Sequence, residues 1–270
     1  MISPSRPIQL NQSIVSSLVA LLCLLGIGGL QVPRLNKLIT RGQTASIEEF
    51  KREVEAERLR LNLIQKFPSF GFDNLIANWV YLGFLQYFGD ELARGQTGYE
   101  LSPAYFEIIV DRDPRFLGSY ISLTASLSLY AGKPEESVAL MAKGLKSMSP
   151  KIPPQSYYVW RYKAIDELLF LADIKSAQRS FAMAGQWASV YPDADSQNLA
   201  AISRATAQFL AGNPDKERIR DAQAAIWASV IVNALQANDR RTRDQVIRQI
   251  EARGGKVTIA PEGGVSVKLP

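Results

Sequence analysis

The sequence predicts an all-α protein: an N-terminal transmembrane helix, a degenerate helical-hairpin solenoid, and a short C-terminal β-hairpin. Three observations carry this. Residues 7–33 contain no charged side chain. From Asp73 onward, apolar residues recur at helical spacing in blocks of about fifteen, separated by short turns of Gly, Pro, Asn or Asp. Strand-like alternation is confined to the end, where Val257, Ile259, Val265, Val267 and Leu269 flank Pro261-Glu262-Gly263-Gly264.

The N-terminal flank is residues 1–12, and the span is residues 13–32. At a 1.5 Å rise, those 20 residues reach ~30 Å, the thickness of a bilayer's hydrocarbon core. The rival reading is a cleaved signal peptide, but the apolar stretch is longer than a usual signal core and no small-x-small cleavage pattern follows it. A lipoprotein site at Cys23 is disfavoured because Leu22 stands where a small residue is expected. Orientation stays open: the amine and Arg6 on one flank face Arg34, Lys37 and Arg41 on the other.

Residues 45–67 read as a charged stalk helix. Ser46 with Glu49 three positions on has capping-box spacing, and Ile47, Phe50, Val54, Leu61 and Ile64 form one apolar stripe before Pro68 and Gly71 end the helix. Residues 73–192 carry helix pairs, with helices expected over 74–88, 103–112, 115–131, 135–147, 155–171 and 174–189. A long turn is expected from Asp90 to Leu101. Residues 193–253 hold a degenerate fourth pair and a capping helix, over 194–211, 215–236 and 239–252. Residues 254–270 form the β-hairpin tail, which should pack on the last helix or pair with another element, because a lone hairpin is marginal in water.

The composition narrows the function classes. The formal net charge is +5, of which Arg6, Arg34, Lys37 and Arg41 supply +4 with no acid before residue 44, leaving +1 on the remainder. The basicity therefore belongs to the anchor, where it suits anionic lipid headgroups and argues against a nucleic-acid groove. There is no histidine, and the only cysteine is Cys23. The usual general base near neutral pH, the commonest metal ligand and any thiolate cluster are thus missing from the chain. No cofactor and no metal are expected.

Paired acids at Asp90-Glu91, Glu135-Glu136 and Asp166-Glu167 are adjacent, so on a helix they point about 100° apart and form no dyad. Lys163 and Glu167, at i,i+4, read as a surface ion pair. The aromatic cluster Tyr157, Tyr158, Trp160 and Tyr162 reads as core packing, with partner or headgroup contact as the alternative, and the basic run from Arg240 to Arg253, offset by Asp239, Asp244 and Glu251, as a solvated face, with an anionic partner as the alternative.

The helix pairs carry a motif. Trp79-x-x-Leu82-Gly83 stands on a first helix, with Tyr87 behind it. Ala177-x-x-x-Phe181, Ser137-x-x-x-Met141 and Ser102-x-x-x-Phe106 stand on second helices, followed by Pro192, Pro150 and Pro114. This pattern resembles the tetratricopeptide repeat, in which a small residue lets two helices approach and a large one four positions on fills the gap beside it. The runs Ile76 to Asp90, Asp113 to Phe116 and Trp160 to Phe170 are similar to a group of uncharacterised membrane-anchored tetratricopeptide-like proteins of cyanobacteria. The resemblance implies a thylakoid or plasma membrane location, and by analogy assistance to assembly of a membrane complex such as a photosynthetic one.

The expected function is a single-pass membrane-anchored scaffold that binds other proteins, such as subunits of a membrane complex, and catalyses nothing. The alternatives are a stoichiometric structural subunit of such a complex and, third, an enzyme. If Arg115–Tyr130 and Gln155–Leu171 are first helices, Ser119, Ser122 and Ser126 on one and Tyr162 and Asp166 on the other are the candidate partner-binding residues. Close packing of those small serines against a neighbouring helix is the competing reading.

Overall fold

The computed structural model describes residues 12–44, 46–212, 214–236, 238–260 and 264–270. Among them are twelve α-helices and one two-stranded sheet. The chain divides into two units, Met1–Phe50 and Lys51–Pro270.

In the first unit, α1 (Gln12–Thr44) contains the apolar stretch Ser16–Pro33, long and apolar enough to cross a membrane, with none of it buried. A signal sequence near an N-terminus meets the same criterion. The sequence places the end of the span at Val32, yet the helix runs through Pro33 to Thr44. The residue whose carbonyl meets the proline ring, four positions back, is Gly29, which has no neighbour within 4 Å of its would-be Cβ and leaves room for the chain to adjust. Helix α2 (Ile47–Lys66) starts on the expected capping box. The Ser46 amide donates to Glu49 Oε2 at 2.9 Å and the Glu49 amide to Ser46 Oγ at 3.3 Å.

The second unit continues with α3 (Asp73–Gly89), α4 (Glu91–Thr97), α5 (Ser102–Arg112) and α6 (Ser119–Thr124), which passes directly into π-helical turns over Ala125–Ala131. Then follow α7 (Pro134–Leu145), α8 (Tyr157–Leu169), α9 (Ile174–Ala188), α10 (Ala194–Ala211), α11 (Lys216–Gln236) and α12 (Arg240–Ala252). Aspartates start five of these helices: Asp90, Asp173, Asp193, Asp215 and Asp239 each accept from the backbone amide three residues on. Helix α4 lies within the stretch from Asp90 to Leu101 that the sequence assigns to a turn. It is only seven residues long, and it forms because Asp90 caps it and Gly98, at φ +69°, ends it.

The largest core gathers side chains of α2, α3 and α5–α10, with Phe84, Tyr105, Phe106, Tyr120, Met141 and Tyr157 almost fully buried. The Phe84 and Phe106 rings meet edge to face at 4.6 Å between centroids. Each of the three small/large pairs on second helices is buried: Ser102 with Phe106, Ser137 with Met141, and Ala177 with Phe181. A separate cluster holds Ala164, Leu168, Ala177, Phe181, Ala207 and Leu210.

Strands β1 (Lys256–Ile259) and β2 (Val265–Lys268) pair antiparallel, with Val257 opposite Val267. The expected turn residues Pro261, Glu262 and Gly263 lie outside the described residues. The hairpin rests on α11 and α12: Val257, Val265, Val267 and Leu269 pack on Trp227, Ile231, Val246 and Ile250. A third small cluster thereby supplies the apolar surface that two strands cannot make by themselves.

Candidate functional site

Helix α3 is apolar on both faces. Ala77, Val80, Phe84 and Tyr87, at i, i+3, i+7 and i+10, fill the core. Leu75, Trp79 and Leu82, at i, i+4 and i+7, face away from it, and Trp79 is 64% exposed. The chain leading into the helix adds Phe67, Phe70 and Phe72, all exposed, with the first two rings edge to face at 6.2 Å. Six large apolar side chains within sixteen residues therefore lie open. A helix that is hydrophobic all round is ordinarily covered all round, and apolar exposure of this kind marks an interaction surface. The sequence reads Trp79 and Leu82 as a packing signature. Their residue types are right, but their angular position puts them opposite the core stripe.

The five residues expected on a concave binding face are distributed differently. Ser119 and Ser126 are fully buried, their hydroxyls donating to the carbonyls of Phe116 (2.8 Å) and Leu123 (3.3 Å). Ser122 is half-buried and shares a 3.0 Å hydrogen bond with the Tyr81 hydroxyl. Tyr162 is half-buried and stacks on Tyr158, centroids 6.0 Å apart. Asp166 is only 1% exposed. Close packing of the small residues is what the interior positions show, and the geometry brings none of the five together as an open site.

What the structure does build there is a polar knot around Asp166. Thr124 Oγ1 donates to its Oδ1 at 2.6 Å, while Ser128 Oγ and Ser137 Oγ donate to Oδ2 at 2.5 and 2.7 Å. Thr124 ends α6 and Ser128 lies on the π-helical turns one helical turn further, so both hydroxyls point at α8. The sequence singles out Asp166, and Ser137 as the small residue of a packing pair, but Thr124 and Ser128 are polar residues in an apolar block, and only the common acceptor shows that the three hydroxyls act together.

Burial pushes the Asp166 carboxyl up to about 6 from an ordinary value of 3.8, against the three hydroxyls that favour the ionised form and with help from the neighbouring Glu167. The folded chain therefore holds more protons than the unfolded chain between those values. Stability tied to this group is full below pH 4 and falls as pH rises through 6, by about 3 kcal/mol in all. An Asp166→Asn chain should lack this fall. The difference in urea-unfolding free energy between the two chains, followed from pH 4 to pH 7.5, checks it. Equal slopes would show that the carboxyl titrates as an exposed one.

Beside the knot, the Lys163 ammonium meets Glu167 Oε1 and lies 3.1 Å from Ser180 Oγ. The sequence reads this as a surface pair. In the fold Glu167 is 3% exposed, because α9 packs over this side of α8. The aromatic cluster also turns inward in part: Tyr157 is buried, with its hydroxyl 2.9 Å from Ser196 Oγ, and Trp160 sets its ring edge to face against Trp187. Among the described residues, no group of three or more His, Cys, Asp or Glu is placed to hold a metal ion.

No protein-family model matches the chain, no curated protein matches its sequence, and no solved structure matches its fold.

Proposed function

We propose that this chain is a single-pass membrane-anchored scaffold whose soluble part is a tetratricopeptide-like stack of helix pairs, and that the apolar ridge from Phe67 to Leu82 binds another membrane protein. The carrying observation is the uncovered half of α3, where Trp79 and two leucines occupy one helical face in water. Large aromatic and aliphatic side chains of this kind act as anchors in protein interfaces. The anchor supports the same reading: the apolar stretch of α1 fixes the chain in a bilayer, and a tethered module meets membrane partners at raised effective concentration.

Helix packing supports the repeat architecture. Helix α5 packs on α3 before it and on α7 beyond its immediate successor, and α6 packs on α8, so neighbouring pairs contact one another as in a solenoid. The stack would assist assembly or stabilisation of a membrane complex, in a thylakoid or plasma membrane by the resemblance of the sequence. The role is non-catalytic. Stoichiometric copurification with a complex would make the chain a permanent subunit in place of an assembly factor.

The test is photocrosslinking with p-benzoylphenylalanine at position 79 of the full chain, in native membranes washed with carbonate. The expected result is retention in the membrane and one discrete protein adduct, absent when the probe stands at exposed Glu135 on α7. Release by the wash would remove the anchor, since a 20-residue apolar span is held by transfer free energy that salt and high pH do not screen. Adducts with lipid alone would remove the protein partner.

A further inference from the structure

Helices α4 and α12 border an open cleft of about 610 Å³ whose charged lining is Arg94, Arg240, Arg241, Arg248 and Glu91. Four guanidinium groups against one carboxylate is a net charge of +3 in a space of small-molecule size. Among the described residues, none of the four has a carboxylate within ion-pair distance. The sequence balances the arginines of α12 against Asp239, Asp244 and Glu251, but Glu251 does not line the cleft and the fold uses the two aspartates otherwise. Asp239 accepts from the Thr242 amide to cap the helix, and Asp244 pairs with Arg243 at 2.7 Å. Asp239 also takes a backbone hydrogen bond from Arg241, and the two acids act on the guanidinium groups of Arg240, Arg241 and Arg248 only at longer range.

Two of the arginines are held in place before any ligand arrives. Arg94 is 7% exposed, lies 3.9 Å over the Tyr87 ring, donates from Nη1 to the Gly98 carbonyl, and leaves its buried Nε without a partner. Arg241 sits among the rings of Phe88, Tyr99 and Tyr130, 4.6–5.1 Å from their centroids, and donates to the Phe88 carbonyl and the Tyr99 hydroxyl. Ring faces and carbonyls orient these cations without neutralising them. Arg240 and Arg248 are exposed and free to close on a bound group, Arg248 now resting on Gln245 Oε1 at 2.8 Å.

From this arrangement we infer that the cleft is a binding site for a multiply charged phosphate group, a phosphomonoester or diphosphate carried on a small soluble molecule or a lipid headgroup. Guanidinium forks match phosphate oxygens bidentately, and a net +3 suits a group of two or more negative charges better than a single carboxylate. The site is independent of the apolar ridge on α3.

The experiment is calorimetric titration of inorganic pyrophosphate into the full chain in nonionic detergent at low salt. One saturable site is expected, weakened about tenfold or more in the Arg240→Gln/Arg248→Gln chain and tightened severalfold in Glu91→Gln, since charge-assisted hydrogen bonds are lost in the first and a repulsive charge in the second. Both substitutions fall on exposed side chains, so folding is retained. Nanodiscs of phosphatidylcholine, with and without phosphatidic acid, whose headgroup is a phosphomonoester, then separate the sources: competition by the anionic lipid assigns the site to a headgroup, and unchanged pyrophosphate affinity assigns it to a soluble ligand. Absence of saturable binding, or equal binding in the double-substituted chain, would overturn the proposal.

Discussion

Replacing Phe181 by alanine lowers the unfolding free energy of a chain beginning at Ser46 by ~3–5 kcal/mol, the range for a buried phenylalanine that leaves a cavity. Phe181 is 3% exposed and is packed among Ala164, Leu168, Ala177, Ala207 and Leu210, contributed by α8, α9 and α10. Three of those five neighbours are alanines, whose methyl groups are too short to reach into the space. The helices would have to move together, and α9 is held on both sides by α8 and α10. The measurement is the urea midpoint at constant m-value. Phe67→Ala, at an exposed position, is the control and should stay within about 0.5 kcal/mol. A Phe181 midpoint as little changed as that of the control would mean that the ring does not fill the gap between these helices.

Lys163→Ala should cost nearly as much, ~3–5 kcal/mol, because it removes the counter-ion of a buried carboxylate. From the sequence alone the same substitution is worth no more than about 0.5 kcal/mol, the value of an exposed i,i+4 pair. The two figures are far enough apart for one denaturation curve to decide. Glu167 Oε2 already lacks a hydrogen-bond partner, so loss of the ammonium leaves the carboxylate with the Asp166 knot as its polar neighbour, and the two repel. Replacing the pair together, Lys163→Met with Glu167→Leu, should be near neutral or stabilising, since the desolvation of both charges is then relieved. If the single substitution is silent, the pair is open to water in solution.

The helices themselves were legible because their signals are local. Ser46 and Glu49 cap α2 through atoms three residues apart, and the spacing of Ala177 and Phe181 marks one helical face whatever that face meets. The alternation of Val257, Val265 and Val267 names the strands in the same way. Helix α4 was hidden, since seven residues bounded by glycine carry too little periodicity to stand out from a turn.

Which face turns inward, and which charge is paired, are properties of the packed chain. Trp79 and Phe84 are equally apolar, and five positions apart they sit on opposite sides of α3; only α5 packing against one side makes Phe84 core and Trp79 surface. Asp166 and Asp244 look alike in sequence, yet one ends among three hydroxyls from α6, the π-helical turns and α7, and the other beside Arg243 in water. The arginines of α12 become a cationic cleft only when α4 and the Tyr99 and Tyr130 rings arrive from more than a hundred residues earlier in the chain. Periodicity and capping act within a few residues, so the sequence by itself determined the elements. Burial, desolvation and charge pairing act between elements, so the ridge, the knot and the cleft were decided by the tertiary structure.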